Sequence, residues 1–136
     1  MRVKLDQEAL GLAGYLERVT HARVKDCFKE EGTVYFVVAP GEIGKAIGKE
    51  GRIIKRIQEE LGKPVRVLEY RSTPVEFVRN LVHPLLVKEI VEENGTILIK
   101  DDNKKTKSLL IGRDGRHLMF INKAVQRFFD VEVKVT

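Results

Sequence analysis

Cysteine is almost missing from this 136-residue chain, and its scarcity excludes two common ways of holding a small protein together. Because Cys27 is the only cysteine, neither an intramolecular disulfide nor a zinc site built from several cysteines can form. Cys27 lies in a stretch where apolar residues alternate, and we expect it to be a small buried hydrophobe. His21, His83 and His117 lack the spacing of metal ligands, so we expect no metal and no other cofactor.

Long apolar runs are also missing. No run approaches the roughly 18 residues that a membrane-spanning helix needs. The first six residues, Met1 to Asp6, lack the apolar core of a signal peptide. The sequence therefore predicts a cytoplasmic protein without a membrane partner.

An excess of one sign of charge is present but modest. The chain has 25 basic and 20 acidic residues, which gives a net charge of +5, and its sequence pI is about 9.4. Both halves of the chain are mildly basic, and neither is a basic tail. This balance favours a polyanionic partner without identifying it.

The most informative feature is an internal repeat. Residues 47–52 read Ile-Gly-Lys-Glu-Gly-Arg, and residues 111–116 read Ile-Gly-Arg-Asp-Gly-Arg. Two strand-like runs precede each copy, and a helical pattern followed by a Val-X-Val strand comes after it. We therefore predict two domains, residues 1–71 and 72–136, joined at Arg71-Ser72 by a linker too short for independent tumbling.

In the first half, the helical spacing of apolar residues from Leu5 to Leu16, with Asp6 as N-cap, predicts a helix. Further elements are predicted as strands over 23–29 and 33–39, a short helix over 42–47, a helix that carries Ile53 to Leu61 and stops at Gly62, and a strand over 64–70.

In the second half, the capping box Thr73-Pro74-Val75-Glu76 predicts a helix start, with Val75, Val78 and Val82 on the apolar face. Strands are predicted over 85–92 and 96–100 around the turn Asn94-Gly95, followed by a helix over 104–111, a helix that carries Leu118, Ile121, Val125 and Phe128, and a strand over 131–135. The predicted fold class is α+β, with two two-layer α/β sandwich units.

This order of elements, with Ile-Gly-X-X-Gly between two helices, resembles the type II KH domain, whose units are α-β-β-α-α-β with a three-stranded mixed sheet. Residues 40–48, 59–62, 65–70 and 74–78 are similar to the tandem KH region of the NusA transcription factors. Bacterial members add a polymerase-binding domain and an S1 domain. This sequence includes neither, so it resembles the short archaeal members of the family.

The resemblance implies a non-enzymatic protein that binds single-stranded RNA in transcription elongation, termination or antitermination. RNA polymerase or other transcription and translation components are further candidate partners. A Gly-X-X-Gly turn admits a sugar-phosphate close to the backbone, and a helix N-terminus and basic side chains attract it. The predicted RNA-binding residues are Ile47, Gly48, Lys49, Glu50, Gly51, Arg52, Lys55, Ile111, Gly112, Arg113, Asp114, Gly115 and Arg116.

Apolar grooves beside these loops are expected to hold bases, with Ile47, Ile54 and Val67 in the first and Ile111, Leu118 and Val133 in the second. Periodicity alone does not separate groove residues from core residues. Each loop also carries an acid, Glu50 or Asp114, which would repel a phosphate.

The residues bear on two other functions. A P-loop enzyme is excluded because only three residues separate Gly44 from Gly48, and Glu50 stands where Ser or Thr would bind magnesium. The alternative that stays open is a protein-interaction scaffold that docks on RNA polymerase or ribosomal components without gripping RNA.

Overall fold

The computed structural model describes residues 7–136, and the chain divides between Arg71 and Ser72 into two compact units. Leu5 and Asp6, which were predicted to begin the first helix, lie outside the described residues. Among residues 7–136, no helix is both long enough and apolar enough to cross a membrane.

The first unit follows the predicted order. It contains α1 (Gln7–Thr20), β1 (Val24–Glu30), β2 (Thr33–Val38), α2 (Ile43–Ile47), α3 (Arg52–Leu61) and β3 (Val65–Glu69). A single 3₁₀ turn, Lys49–Gly51, separates α2 from α3. Helix α3 ends at Gly62, whose left-handed conformation (φ 66°) is the predicted C-terminal glycine signal.

The first sheet has the order β1-β2-β3, with β1 antiparallel and β3 parallel to the central strand β2. One face of β2 places Val34, Phe36 and Val38 in a core with Leu16 of α1 and Ile57 of α3. Because the helices lie on this one face, the unit has two layers, as predicted. The predicted burial of Cys27 is confirmed.

The second unit repeats this architecture. It contains α4 (Pro74–Val82), β4 (Glu89–Glu93), β5 (Thr96–Lys100), α5 (Lys104–Ile111), α6 (Arg116–Gln126) and β6 (Glu132–Val135), with a 3₁₀ turn at Arg113–Gly115. The sheet order is β4-β5-β6, with an antiparallel and then a parallel pair. The predicted α+β fold class is confirmed.

Two details of the second unit differ from the prediction. Residues 85–88 are irregular, so the strand predicted over 85–92 begins only at Glu89. The buried face of α4 is formed by Phe77, Val78, Leu81 and Val82 rather than by Val75. Phe77 packs edge-on against Phe128, with ring centroids 5.3 Å apart, and thereby ties α4 to the end of α6.

Candidate nucleic-acid interface

The two Gly-X-X-Gly turns have the same backbone conformation. Gly48 has φ 76° and ψ 174°, and Gly112 has φ 77° and ψ 174°. Gly51 and Gly115 follow in the left-handed region at φ 73° and φ 74°. The repeated sequence therefore encodes a repeated three-dimensional turn and not only a repeated composition.

The first glycine of each turn is required by the chain itself. A Cβ atom on Gly48 would lie 2.6 Å from Cγ1 of Ile53, and one on Gly112 would lie 2.6 Å from Cβ and 2.8 Å from the backbone nitrogen of His117. The turn thus packs directly on the helix that follows it. Close approach of the chain to its own helix explains these two glycines without any ligand.

The second glycine of each turn faces open space. A Cβ atom on Gly115 would meet nothing within 4 Å, and one on Gly51 would meet only Cγ2 of Ile54 at 3.7 Å. These positions need glycine for their left-handed backbone. They also leave the turn accessible to a ligand.

The helices that begin at these turns lack side-chain caps. Neither Gly51 before α3 nor Gly115 before α6 offers a side chain to the first amides of the helix. By contrast, Thr73 accepts from the Glu76 amide at the start of α4, and Asn103 accepts from the Thr106 amide at the start of α5. Unsatisfied N–H groups and the positive end of the helix dipole favour anions. The amides of Arg52 and Arg116 already donate to the carbonyls of Lys49 and Arg113, so any anion would be attracted by the dipole end and by the later amides of the first turn of α3 or α6.

An acidic residue occupies a left-handed conformation in each turn. Glu50 has φ 55° and ψ 26°, and Asp114 has φ 55° and ψ 27°. Both side chains are exposed, and the Glu50 carboxylate lies 3.8 Å from Nη2 of Arg52. These carboxylates lower the positive potential of the turn.

The basic residues around the first turn divide into paired and unpaired groups. Lys45 binds Glu42 at 2.9 Å, which lowers the pKa of that carboxyl, and Arg56 binds Glu60 at 3.1 Å. Lys49 and Lys55 are exposed and form no ion pair within residues 7–136. The unpaired lysines are therefore the better candidates for phosphate contacts.

The second turn offers an exposed guanidinium on each side. Arg113 forms no ion pair with any described residue, and Arg116 is exposed at the first position of α6. His117 packs behind the turn, where its Nδ1 lies 3.0 Å from the carbonyl oxygens of Leu109 and Leu110. The imidazole thus links α6 to the end of α5 instead of facing the loop tip.

A cleft of about 660 Å³ extends from Gly115 of the second turn between α6 and β6. Leu118 and Met119 form apolar parts of its wall, and Met119 is 57% exposed. The lining also includes the polar residues Asn122 and Gln126 and all four residues of β6, Glu132–Val135. An apolar cleft with a few polar groups is the usual form of a small-ligand or base site.

The edge strand β6 exposes alternate backbone groups to this cleft. The amides of Glu132 and Thr136 donate to β5 or its turn, so Val133 and Val135 point their backbone groups away from the sheet. Asn122 occupies both groups of Val133: its Oδ1 accepts from the amide at 2.8 Å, and its Nδ2 donates to the carbonyl at 3.1 Å. The next outward-facing groups are those of Val135, at the edge of the cleft.

The first unit contains a related arrangement. Gln58 Oε1 accepts from the Val65 amide at 3.0 Å, as Asn122 does with Val133. A cleft of about 450 Å³ lies nearby, lined by Lys55, Gln58, Glu59, Gly62, Lys63 and Pro64. Lys55, four residues after the second glycine, takes the place that Met119 has in the second unit. The first cleft is therefore smaller and more charged.

The predicted groove residues are only partly brought together. Leu118 lines the second cleft as expected, and Val133 reaches it although its side chain is only 2% exposed. Ile111 is 38% exposed but is not part of the cleft wall. In sheet register, Val65 and not Val67 is the counterpart of Val133, because these two residues pair with Val34 and Ile97. Asn122 and Gln126 were not among the predicted site residues; a polar residue facing a predicted groove was the available signal.

A family model, curated relatives and a solved structure all match this chain. A family model described as KH domain matches residues 14–93. The chain is 33% identical to a "Probable transcription termination protein NusA" of Halococcus morrhuae, over 97% of this chain and 96% of the relative. It is 29% identical to the protein of the same description in Methanocaldococcus jannaschii, over 93% and 70% of the two chains. The crystal structure of APE1850 superposes with a TM-score of 0.78 at 29% identity, covering 97% of this chain and all of the other.

Proposed function

Because the chain belongs to the KH domain family and is a short NusA-like protein, we propose that it binds single-stranded RNA through both Gly-X-X-Gly turns. The RNA would be bound in the cytoplasm during transcription elongation, termination or antitermination. The protein acts as a binding factor and not as an enzyme. RNA polymerase or other transcription and translation components are further partners in this proposal.

One observation carries the proposal. Both turns place an uncapped helix N-terminus beside an exposed, unpaired cation, Lys49 in the first unit and Arg113 in the second. Phosphate oxygens are anions that match such a site in charge and in hydrogen-bonding capacity. Among the other helix starts with a defined cap position, those at Thr73 and Asn103 are occupied by side chains, whereas Glu42 before the five-residue helix α2 makes no capping hydrogen bond. The difference supports a ligand role for the two turns.

Base contacts are proposed for the cleft of the second unit. Leu118 and Met119 would pack against a base, and the backbone N–H of Val135 would donate to an acceptor on the base edge while its C=O would accept from a donor there. A paired base has no free Watson–Crick edge to offer. This cleft therefore favours unpaired RNA over a duplex.

The test is fluorescence anisotropy with a single-stranded RNA and with the same strand annealed to its complement, at the same salt concentration. We expect tighter binding of the single strand, since only its bases can enter the cleft. Equal affinity for the two RNAs, or binding of neither, would contradict the proposal. In the second case the scaffold function, docking on polymerase or ribosomal components without RNA, becomes the better explanation.

A further inference from the structure

Helix α5 begins with an unusual concentration of positive charge. Lys104, Lys105 and Lys107 fall in its first four residues, and its first turn contains no acidic residue. Cations at a helix N-terminus are opposed by the helix dipole. Asn103 already caps the helix, with its side-chain oxygen 3.0 Å from the Thr106 amide. The lysines thus add nothing to helix stability that the cap does not provide.

The carboxylates beside these lysines have other partners. Asp101 accepts from the backbone amides of Lys88 at 2.9 Å and Asn103 at 2.8 Å. Asp102 binds Lys88 Nζ at 2.8 Å, and this contact is the main reason why the pKa of Asp102 is lowered. Over the described part of the chain, Lys104, Lys105 and Lys107 form no ion pair with any carboxylate. Lys107 also helps to lower the pKa of Asp102 through space, whereas the charge of Lys104 and Lys105 is available to an external anion.

The lysines lie at the start of the helix that leads to the second turn: Lys104 is on the face that runs toward the turn, and Lys105 and Lys107 flank that face on either side. Lys104, Ser108 and Ile111 are spaced i, i+4 and i+7, so they share one exposed face of α5 that leads to Gly112. Eight helical residues extend over about 12 Å. The first unit has no matching cluster, because its α2 carries Lys45 bound to Glu42.

We propose that Lys104, Lys105 and Lys107 form a second phosphate-binding site, which holds the sugar-phosphate backbone of an RNA strand as it continues from the 112–115 turn along α5. This inference rests on the proposed RNA binding at that turn. Side-chain ammonium groups, rather than the capped amides of the helix, would make the contacts. The ligand is single-stranded RNA longer than the turn alone can hold.

The decisive variant combines Lys104→Gln with Lys105→Gln. Its matched control is Arg18→Gln with Arg79→Gln, which removes the same charge from exposed residues that lie outside both turns and both clefts and form no ion pair with any described residue. Two RNAs are compared: one of about four nucleotides, the length that a KH loop clamps, and one of about ten.

If two full phosphate contacts are lost, the slope of log K against log salt falls in magnitude by about 1.4 for the longer RNA. If the variant and the wild type bind the longer RNA equally at 1 M salt, this difference in slope makes the variant bind about 25-fold more weakly at 0.1 M salt.

The expected pattern separates this inference from the proposed function. The longer RNA should lose affinity and salt slope with the α5 variant but not with the control, while the short RNA is unaffected. Lys104→Arg with Lys105→Arg should restore binding, and thermal melting of the glutamine variant should be unchanged or higher, because the removed charges oppose the dipole. Equal effects of the α5 and control variants would overturn the second site. Failure of the wild type to bind either RNA would instead overturn the proposed function.

Discussion

The first glycine of each turn is crowded and the second faces open space. Substituting alanine at each position, which adds one methyl group, tests this difference. In Gly112→Ala, the added Cβ would lie 2.6 Å from Cβ and 2.8 Å from the backbone nitrogen of His117. The backbone at φ 77° and ψ 174° is also a region that only glycine adopts readily, which costs about 1–3 kcal/mol for another residue. Overpacking adds about 1–3 kcal/mol. We expect a total loss of about 2–6 kcal/mol in the free energy of unfolding of the second unit.

Gly115→Ala and Gly48→Ala should each lower the free energy of unfolding by less than Gly112→Ala does. In Gly115→Ala the methyl group meets nothing within 4 Å. The cost is therefore the left-handed backbone alone, about 1–2 kcal/mol, less about 0.4–1 kcal/mol gained by restricting the unfolded chain. Gly48→Ala should fall between the two, because its clash is with the Ile53 side chain, which can rotate, and not with backbone.

Urea denaturation of the three variants, monitored by circular dichroism, measures their free energies of unfolding and so tests the predicted order of destabilisation. An unchanged m-value would show that stability and not the compactness of the denatured state has changed. RNA affinity of Gly115→Ala should fall while the protein stays folded, because the methyl group stands on the accessible side of the turn. The reasoning is refuted if Gly115→Ala destabilises as much as Gly112→Ala, or if Gly112→Ala costs less than about 1 kcal/mol.

Two further predictions concern charge at the turns. Lys49→Asp and Arg113→Asp should each change stability by less than about 1 kcal/mol, since an acid near a helix start is tolerated, but should weaken RNA binding, and the double variant should lose more than either single one. Melting curves run beside the binding assay serve as control, and unchanged affinity in a folded double variant would favour the scaffold function. Glu50→Gly and Asp114→Gly should raise RNA affinity, because each removes a carboxylate from the phosphate path and relieves a left-handed side chain. A fall in affinity with either glycine variant would mean that the acid contacts RNA directly.

Much of the fold was predictable because local signals and periodicity agreed. The bounds of α5 and β5 were predicted to the residue, and the Thr73 cap was identified from the capping-box pattern. The exception is the segment before β4. Its aliphatic residues favoured a strand, yet Leu86 is 89% exposed and residues 85–88 are irregular. The apolar residues of this segment are not buried, and no local sequence pattern distinguishes an exposed apolar segment from a buried strand.

The candidate site was predictable in composition but not in the roles of its residues. The repeat identified both turns, but a sequence does not reveal that Gly112 contacts His117 while Gly115 faces open space. It also does not reveal that Lys45 is already paired with Glu42. The segment between α6 and β6 is longer than that between α3 and β3, so distance along the chain from each turn does not identify Val65 as the counterpart of Val133. These properties depend on register and contact, which emerge only in three dimensions.

The acid in each turn is best understood as a compromise between folding and binding. A left-handed acidic residue costs about 1–2 kcal/mol, whereas a negative charge near a helix start returns about 0.3–1 kcal/mol. Neither Gly51 nor Gly115 can cap its helix with a side chain. Glu50 and Asp114 therefore supply through space part of the stabilisation that a cap would supply by a hydrogen bond, and no side chain caps the helix start beside them. Because the same carboxylates would repel the phosphates of the proposed RNA ligand, free protein and RNA complex cannot both be optimal, and we expect RNA binding at the turns to be reversible.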